Sequence, residues 1–144
     1  MTRRVLILAL LATGSRADDA ADVWDLLSRV AAALSEGNVV EFLKAFDASM
    51  PGYSMLEANV TALVQHYQVG SSIEPITDEG SGPKRTLELD WFLELVEQHD
   101  PTNITRRRDK VRCVVAKMGK NWKIMSLEPL PFFAPPEEPG PSRN

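Results

Sequence analysis

The chain has one cysteine and two histidines, and this scarcity excludes several kinds of site. Cys113 has no second cysteine to pair with, so an internal disulfide cannot stabilise the fold. The two histidines and one thiol do not provide the ligand spacing of an ordinary zinc site. We therefore expect no metal and no cofactor. Cys113 lies in mid-strand with no positive neighbour on its own face, which predicts a buried, unreactive thiol.

The chain also lacks the charge pattern of a nucleic-acid-binding protein. It carries 16 basic and 20 acidic residues, for a net charge of −4. No long basic run is interleaved with aromatic residues, so we expect no nucleic acid partner. The short run Arg106-Arg107-Arg108 is best interpreted as a solvated face with acidic partners across the strand, the alternative being an anion site. At 144 residues and 44% hydrophobic content, one domain is expected.

No apolar run is long enough to span a bilayer. The longest, residues 5–12, is less than half of the ~20 residues that a membrane-spanning helix needs, so we expect no stable membrane anchor. This run follows Arg3-Arg4 and precedes small residues at positions 15 and 17, the pattern of a secretory signal peptide. The expectation is a signal over residues 1–17, cleavage after Ala17 and a secreted or periplasmic protein. The alternative is an apolar N-terminal helix of a cytosolic protein.

Residues 86–98 show the clearest pattern of the chain, a strict period of two. The even positions are mainly polar or charged, whereas the odd positions from 87 to 95 are all apolar. This alternation predicts a strand buried on one face, which needs a covering layer. The apolar set is Leu87, Leu89, Trp91, Leu93 and Leu95.

Three amphipathic helices are predicted before this strand. Apolar residues recur at three- and four-residue steps within residues 22–37. Asn38 with Glu41, and later Ser54 with Glu57, form capping-box patterns that predict the starts of the second and third helices. The third helix is expected to end near Gln68.

Short strands and turns account for most of the remaining chain. Pro75 weakens the strand over residues 69–77, because proline cannot donate to a ladder. Residues 129–144 are proline-rich and predict an extended, disordered tail, although Leu130, Phe132 and Phe133 leave open that part of it packs onto the body. The other predicted segments are a turn over 78–83, a hairpin loop over 99–103, a strand over 104–118, a turn at 119–120 and a strand over 121–128.

The predicted register follows from continuing the buried odd face into the neighbouring strands. We expect Trp91 to face Val111, and Glu94 to face Arg108 on the outer side. Across the second hairpin, we expect Ser126 to lie beside Cys113 on the inner face. The first hairpin also places Asp90 opposite Arg112 and Leu89 opposite Cys113, and the second places Ile124 beside Val115.

Three helices followed by a curved antiparallel sheet of about four strands define an α+β fold. Over residues 22–127, ending in the strand Trp122-Lys123-Ile124, this order resembles the nuclear transport factor 2-like superfamily of cone-shaped domains. The resemblance implies a domain over residues 18–128 with a pocket between the helices and the concave sheet. In the enzymes of the superfamily, which include isomerases, dehydratases and cyclases, that pocket holds the acid and base groups.

The inferred pocket is almost entirely apolar and contains no carboxylate on its sheet side. Asp109 is the candidate for a general base; Glu128, Asp47 and His66 are further candidates near the pocket. We therefore expect non-catalytic binding of a small apolar ligand or a partner protein, with a small acid/base enzyme as the alternative. The expected lining residues are Leu89, Trp91, Leu93, Val111, Cys113, Trp122, Ser126, Tyr53 and Tyr67.

The outer sheet face is expected to be too apolar to be entirely solvated, which predicts a possible homodimer through that face. Asn59 and Asn103 match the glycosylation pattern, which matters only in a eukaryotic host. The apolar residues assigned to the outer face are Phe92, Val96, Val114, Met125 and Leu127.

Overall fold

The computed structural model describes residues 2–136, with side chains described from Asp18 onward except at Ser81. Its element order is that of the predicted α+β fold, three helices followed by a curved four-stranded antiparallel sheet. Within the described residues, no helix is both long and apolar enough to cross a bilayer. The elements are α1 (Thr2–Ser35), α2 (Val39–Lys44), α3 (Tyr53–His66), β1 (Tyr67–Ser81), β2 (Lys84–Glu97), β3 (Ile104–Met118), β4 (Asn121–Glu128) and a 3-10 helix (Leu130–Phe133).

Local signals in the sequence account for the end of α1 and the start of α2. They do not account for the starts of α1 and α3: α1 begins at Thr2 and not at the predicted position 22. Gly37 follows α1 with a φ of 70°, a backbone conformation that glycine adopts at no steric cost. The side chain of Asn38 accepts a hydrogen bond from the Glu41 backbone N–H at 3.1 Å, which confirms the predicted cap of α2. The predicted Ser54 cap is wrong, because α3 begins at Tyr53, two residues earlier than a helix capped by Ser54, and Gly52 occupies the N-cap position.

The first hairpin is longer than predicted. β1 continues to Ser81 and pairs with Lys84, so the turn is confined to Gly82-Pro83 instead of covering residues 78–83. The pairing shifts between Pro75 and Thr77, which leaves Ile76 as an unpaired extra residue. A bulge at this point is expected, because proline lacks the N–H that a regular ladder needs.

The register between β2 and β3 differs from the prediction by two residues. Trp91 pairs with Asp109, and Val111 pairs with Leu89. A shift of two keeps every side chain on its predicted face, so Val111 remains buried. The partners across the outer face change, however: Glu94 lies opposite Arg106 and not opposite Arg108.

A bulge in β4 overturns two placements near the end of the sheet. The pairing shifts between Val114 and Val115, so that Leu127 pairs with Cys113 and Ser126 pairs with Val114. Leu127 is therefore buried instead of lying on the outer face. Ser126, predicted to lie beside Cys113 on the inner face, is displaced from it. One extra residue reverses the alternation because side chains in a strand have a period of two.

The outer sheet face carries ion pairs between β2 and β3. Arg106 Nε lies 2.9 Å from Glu94 Oε2, and Arg108 Nη2 lies 2.6 Å from Asp90 Oδ2. The hydrogen bond from Arg108 lowers the pKa of Asp90. These contacts agree with the interpretation of Arg106 and Arg108 as members of a solvated, charge-paired face. Arg107 does not belong to it.

The core lies between the helices and the concave face of the sheet. The residues buried there are all apolar, and among the described residues no polar or charged side chain is buried. Phe132 and Phe133 belong to this core, so the disordered tail does not begin at Pro129. The predicted tail residues 137–144 lie outside the described part of the chain.

Candidate functional site at the mouth of the cone

The inner sheet face brings together most of the predicted pocket residues. Leu89, Trp91, Leu93, Val111 and Cys113 are completely inaccessible to solvent. They contact other core side chains and do not border an open cavity. The space that the sequence predicts as a pocket is therefore filled with side chains.

The residue that fills this space comes from the C-terminal segment. The rings of Phe133 and Trp91 meet edge to face, with centroids 5.0 Å apart and an interplanar angle of 84°. Phe133 also contacts Phe42 of α2 and the neighbouring Phe132, with centroid distances of 6.4 and 5.1 Å. Such aromatic pairs are each worth about 0.5–1.5 kcal/mol beyond their buried area. The cone is thus closed by an aromatic cluster that its own chain supplies.

A chain of hydrogen bonds fixes the tryptophan on which Phe133 packs. Trp91 Nε1 donates to Ser71 Oγ at 2.9 Å, and the Ser71 backbone N–H donates to Ser35 Oγ at 2.9 Å. The indole N–H is therefore satisfied although the ring is buried. Helix α1 and strand β1 together hold the floor of the site in one orientation.

Arg107 anchors the C-terminal segment from the sheet side. Its Nη1 donates to the carbonyl oxygens of Phe132, at 2.9 Å, and Ala134. Partial burial lowers the pKa of the guanidinium, with Tyr67 acting in the opposite direction. The prediction that Arg107 lies on the outer face with Arg106 and Arg108 is therefore wrong. Arg107 and Val111 are both odd-numbered residues of the same strand, so their side chains point to the same face. This shared parity was the sequence signal for the inner face.

The remaining predicted lining residues lie around this cluster. Tyr53 and Tyr67 are half-buried and pack against the core. Ser126 instead borders an open depression of about 590 Å³ between the start of α3 and the C-terminal segment. Leu130 contacts Gly52 there so closely that a Cβ at position 52 would collide with it. Trp122 is buried at the far end of the inner face, beside a different cleft.

The candidate acid and base groups are not at the core of the site. Asp109 lies on the inner-face register opposite Trp91, but it is exposed, and its Oδ1 accepts a hydrogen bond from the Lys110 backbone N–H at 2.8 Å. His66 and Glu128 are exposed, and Asp47 accepts a hydrogen bond from Ser49. None of these four side chains is buried in the core.

Thiol and metal chemistry are also unsupported in the described part of the chain. Burial raises the pKa of Cys113 to about 12, so at neutral pH this thiol is protonated and a poor nucleophile. No group of three or more His, Cys, Asp or Glu residues among those described could hold a metal ion. The end of the concave sheet that Phe132 and Phe133 cover, called the mouth of the cone, can offer apolar contact area and a C-terminal segment anchored by Arg107.

Comparison with known proteins finds likeness in structure alone. No family model and no curated protein matches the sequence. A protein from Novosphingobium aromaticivorans proposed to be a scytalone dehydratase is similar with a TM-score of 0.72 at 9% identity, covering 80% of this chain and 85% of that one. A conserved Planctomyces limnophilus protein is similar with a TM-score of 0.71 at 9% identity, covering 78% and 94%.

A third similar structure carries the name of the superfamily that the sequence resembles. It is a nuclear transport factor 2-like superfamily protein from Salmonella enterica, with a TM-score of 0.61 at 14% identity, covering 83% of this chain and 92% of that one. Identities this low carry the fold and not the activity. The chain has the nuclear transport factor 2-like fold.

Proposed function

We propose that this protein is a non-catalytic binding domain that takes a small apolar ligand at the mouth of its cone, in place of Phe133. The observation that carries the proposal is the aromatic closure: the interior is wholly apolar, and its entrance is occupied by a short C-terminal segment. An apolar site with few polar groups is the usual environment for an apolar ligand. It supplies contact area without a proton-transfer group.

The closing segment is suited to exchange with a ligand. It is a four-residue 3-10 helix near the end of the described chain, so it can detach while the sheet and helices remain intact. Arg107 holds the segment by donating hydrogen bonds to its carbonyl oxygens. When the segment leaves, water can accept these hydrogen bonds instead. The adjoining depression of about 590 Å³ falls within the usual range of ligand sites, roughly 300–1,000 Å³. The ligand must offset the lost contacts of Phe133, so the affinity should rise with apolar size.

The test compares wild type with Phe133→Ala in the full chain. Benzene, indole and naphthalene are added, and the melting temperature is measured; a ligand that binds only the folded state raises it by mass action. We expect naphthalene to raise the melting temperature of wild type slightly and that of Phe133→Ala more. Phe92→Ala on the outer face is the matched control and should respond as wild type does.

Two results would decide against the proposal. If only Phe133→Ala responds, the segment is a permanent part of the core and not an exchangeable closure. If neither protein responds at saturating ligand, the mouth of the cone does not bind apolar molecules of this size.

We further propose that the protein is exported and processed after Ala17. The support is the pattern of a positive start, an apolar run and small residues before the cut. Full-length protein expressed in a bacterium should be recovered from the periplasm or medium with Asp18 as its first residue. An intact mass that includes residues 1–17 would refute this proposal.

A further inference from the structure

A second cleft lies between α1, α2 and the turn that joins β3 to β4. Its volume is about 400 Å³, which is within the usual range for small-molecule sites. None of its lining residues borders the depression beside the C-terminal segment. The cleft and the depression therefore have separate linings within one domain.

The floor of the cleft is apolar and its walls are charged. Leu26 and Val30 of α1, Ala45 after α2 and Trp122 of β4 form the floor, and all four are buried. Such a floor favours the apolar body of a ligand.

Charged side chains of both signs line the walls. Asp22, Asp25 and Arg29 of α1 lie on one side, three or four residues apart and hence on one face of the helix. Lys120 and Lys123 come from the β3–β4 turn and the start of β4, and Glu41 and Lys44 of α2 also line the cleft. The α1 side is net acidic and the β3–β4 side is basic, so a ligand that pairs with both sides carries a cation and an anion.

Some of these charges are already engaged, and others are not. Lys44 pairs with Glu41 at 2.8 Å, and Lys123 Nζ donates to the Lys44 carbonyl oxygen at 2.6 Å. Within residues 18–136, the carboxylates of Asp22 and Asp25, the guanidinium of Arg29 and the ammonium of Lys120 form no ion pair, although Arg29 Nε donates to the Asp25 backbone carbonyl oxygen at 3.4 Å. The unengaged groups are thus those that a ligand in the cleft could use.

Trp122 provides the second, independent observation. Its indole Nε1 is buried and has no hydrogen-bond partner among the described residues. A buried donor left without an acceptor is costly, and such a group in a folded protein calls for a specific explanation, such as a bound water or ligand. The ammonium of Lys117 lies 6.0 Å from the centre of the same ring. This ammonium also lies 3.4 Å from Asp19 Oδ1, so its charge is partly offset there.

We propose that this cleft binds the zwitterionic form of an apolar amino acid or short peptide. The apolar side chain rests on Leu26 and Val30. The carboxylate pairs with Lys120 and, once the indole turns its buried Nε1 toward the cleft, accepts a hydrogen bond from it. The ammonium group pairs with Asp22 and Asp25.

The probe is the dipeptide leucyl-leucine, titrated by calorimetry against the full chain. Its N-acetylated and C-amidated forms each lack one charge and are otherwise similar. An exposed ion pair is worth up to about 1 kcal/mol, so each capped form should bind about fivefold more weakly than the zwitterion. Asp22→Asn and Lys120→Gln should each weaken the zwitterion to a similar extent. Asp18→Asn and Lys110→Gln, which alter exposed charges outside the cleft, should not.

A spectroscopic readout tests the role of the indole directly. The Nε1–H resonance of Trp122 is identified by its absence in Trp122→Phe, and it should shift on addition of leucyl-leucine as a new hydrogen bond forms. If Trp122→Phe does not fold, Lys120→Gln supplies the same information through the weaker shift of that resonance. Phe133→Ala should bind the dipeptide as wild type does, which separates this site from the mouth of the cone.

Three outcomes would overturn the inference. The first is a zwitterion that binds no more tightly than its capped forms, and the second is binding that leaves the Trp122 resonance unmoved. The third is the absence of any heat at millimolar dipeptide, in which case a water molecule is the acceptor for Nε1.

Discussion

Truncation of Phe133 to alanine tests the aromatic closure most directly. The ring is fully buried against Trp91, Phe42 and Phe132. Removing a buried phenylalanine ring usually costs about 3–5 kcal/mol. Because the segment can also detach as a unit, the loss of stability cannot exceed the free energy that its docking contributes. We therefore expect a loss near the lower end, about 3 kcal/mol.

The assay is urea unfolding followed by far-UV circular dichroism, with thermal unfolding as a second measurement. For a domain of this size, each kcal/mol lowers the melting temperature by roughly 2–4 °C, so we expect a decrease of about 6–12 °C. Phe92→Ala is the control, because Phe92 is only half-buried on the outer face and should cost clearly less. Adding Phe132→Ala to Phe133→Ala should cost little more, since the segment is then already detached.

Two results would refute this reasoning. A loss below about 1 kcal/mol for Phe133→Ala would mean that the ring is not packed in the core in solution. Fully additive losses for the two phenylalanines would mean that the segment does not dock as a unit.

Three further predictions concern the sheet. Glu94→Lys and Arg106→Glu should couple by about 0.2–1 kcal/mol in a double-mutant cycle at low salt, whereas Glu94 and Arg108 should not couple. Coupling of Glu94 to Arg108 and not to Arg106 would support the register expected from sequence. Because burial raises the pKa of Cys113 from 9.0 to about 12, the unfolded chain ionises first as pH rises. Stability should thus fall more steeply between pH 9 and 12 than in Cys113→Ala, and identical slopes would mean an accessible thiol. Asp109→Asn should leave naphthalene binding unchanged. If wild type turns over an enone and Asp109→Asn does not, the result would instead favour the acid/base enzyme.

The sequence by itself determined the features that depend on local periodicity. The alternation in residues 86–98 predicted which side chains of β2 face the core, and the structure buries that odd-numbered set. Asn38 predicted the start of α2 because its side chain can accept a hydrogen bond from a backbone N–H three residues away. These signals act over a few residues, so they can be read without knowledge of the fold.

Only the tertiary structure decided the features that depend on distant partners. The bulge between Val114 and Val115 moved Leu127 inward and Ser126 off the inner face, and nothing in the alternation of β4 shows where an extra residue is inserted. Register against β3 likewise follows from the whole hairpin and not from either strand alone.

The candidate sites depended most on the tertiary structure. Phe133 lies among prolines, a composition typical of a disordered tail, yet it is buried because the open mouth of an apolar cone needs covering. Arg107 acquires its role only when that segment brings two carbonyl oxygens to it. The charged cleft beside Trp122 joins residues almost a hundred positions apart in the chain, and their proximity results from packing α1 against the end of the sheet.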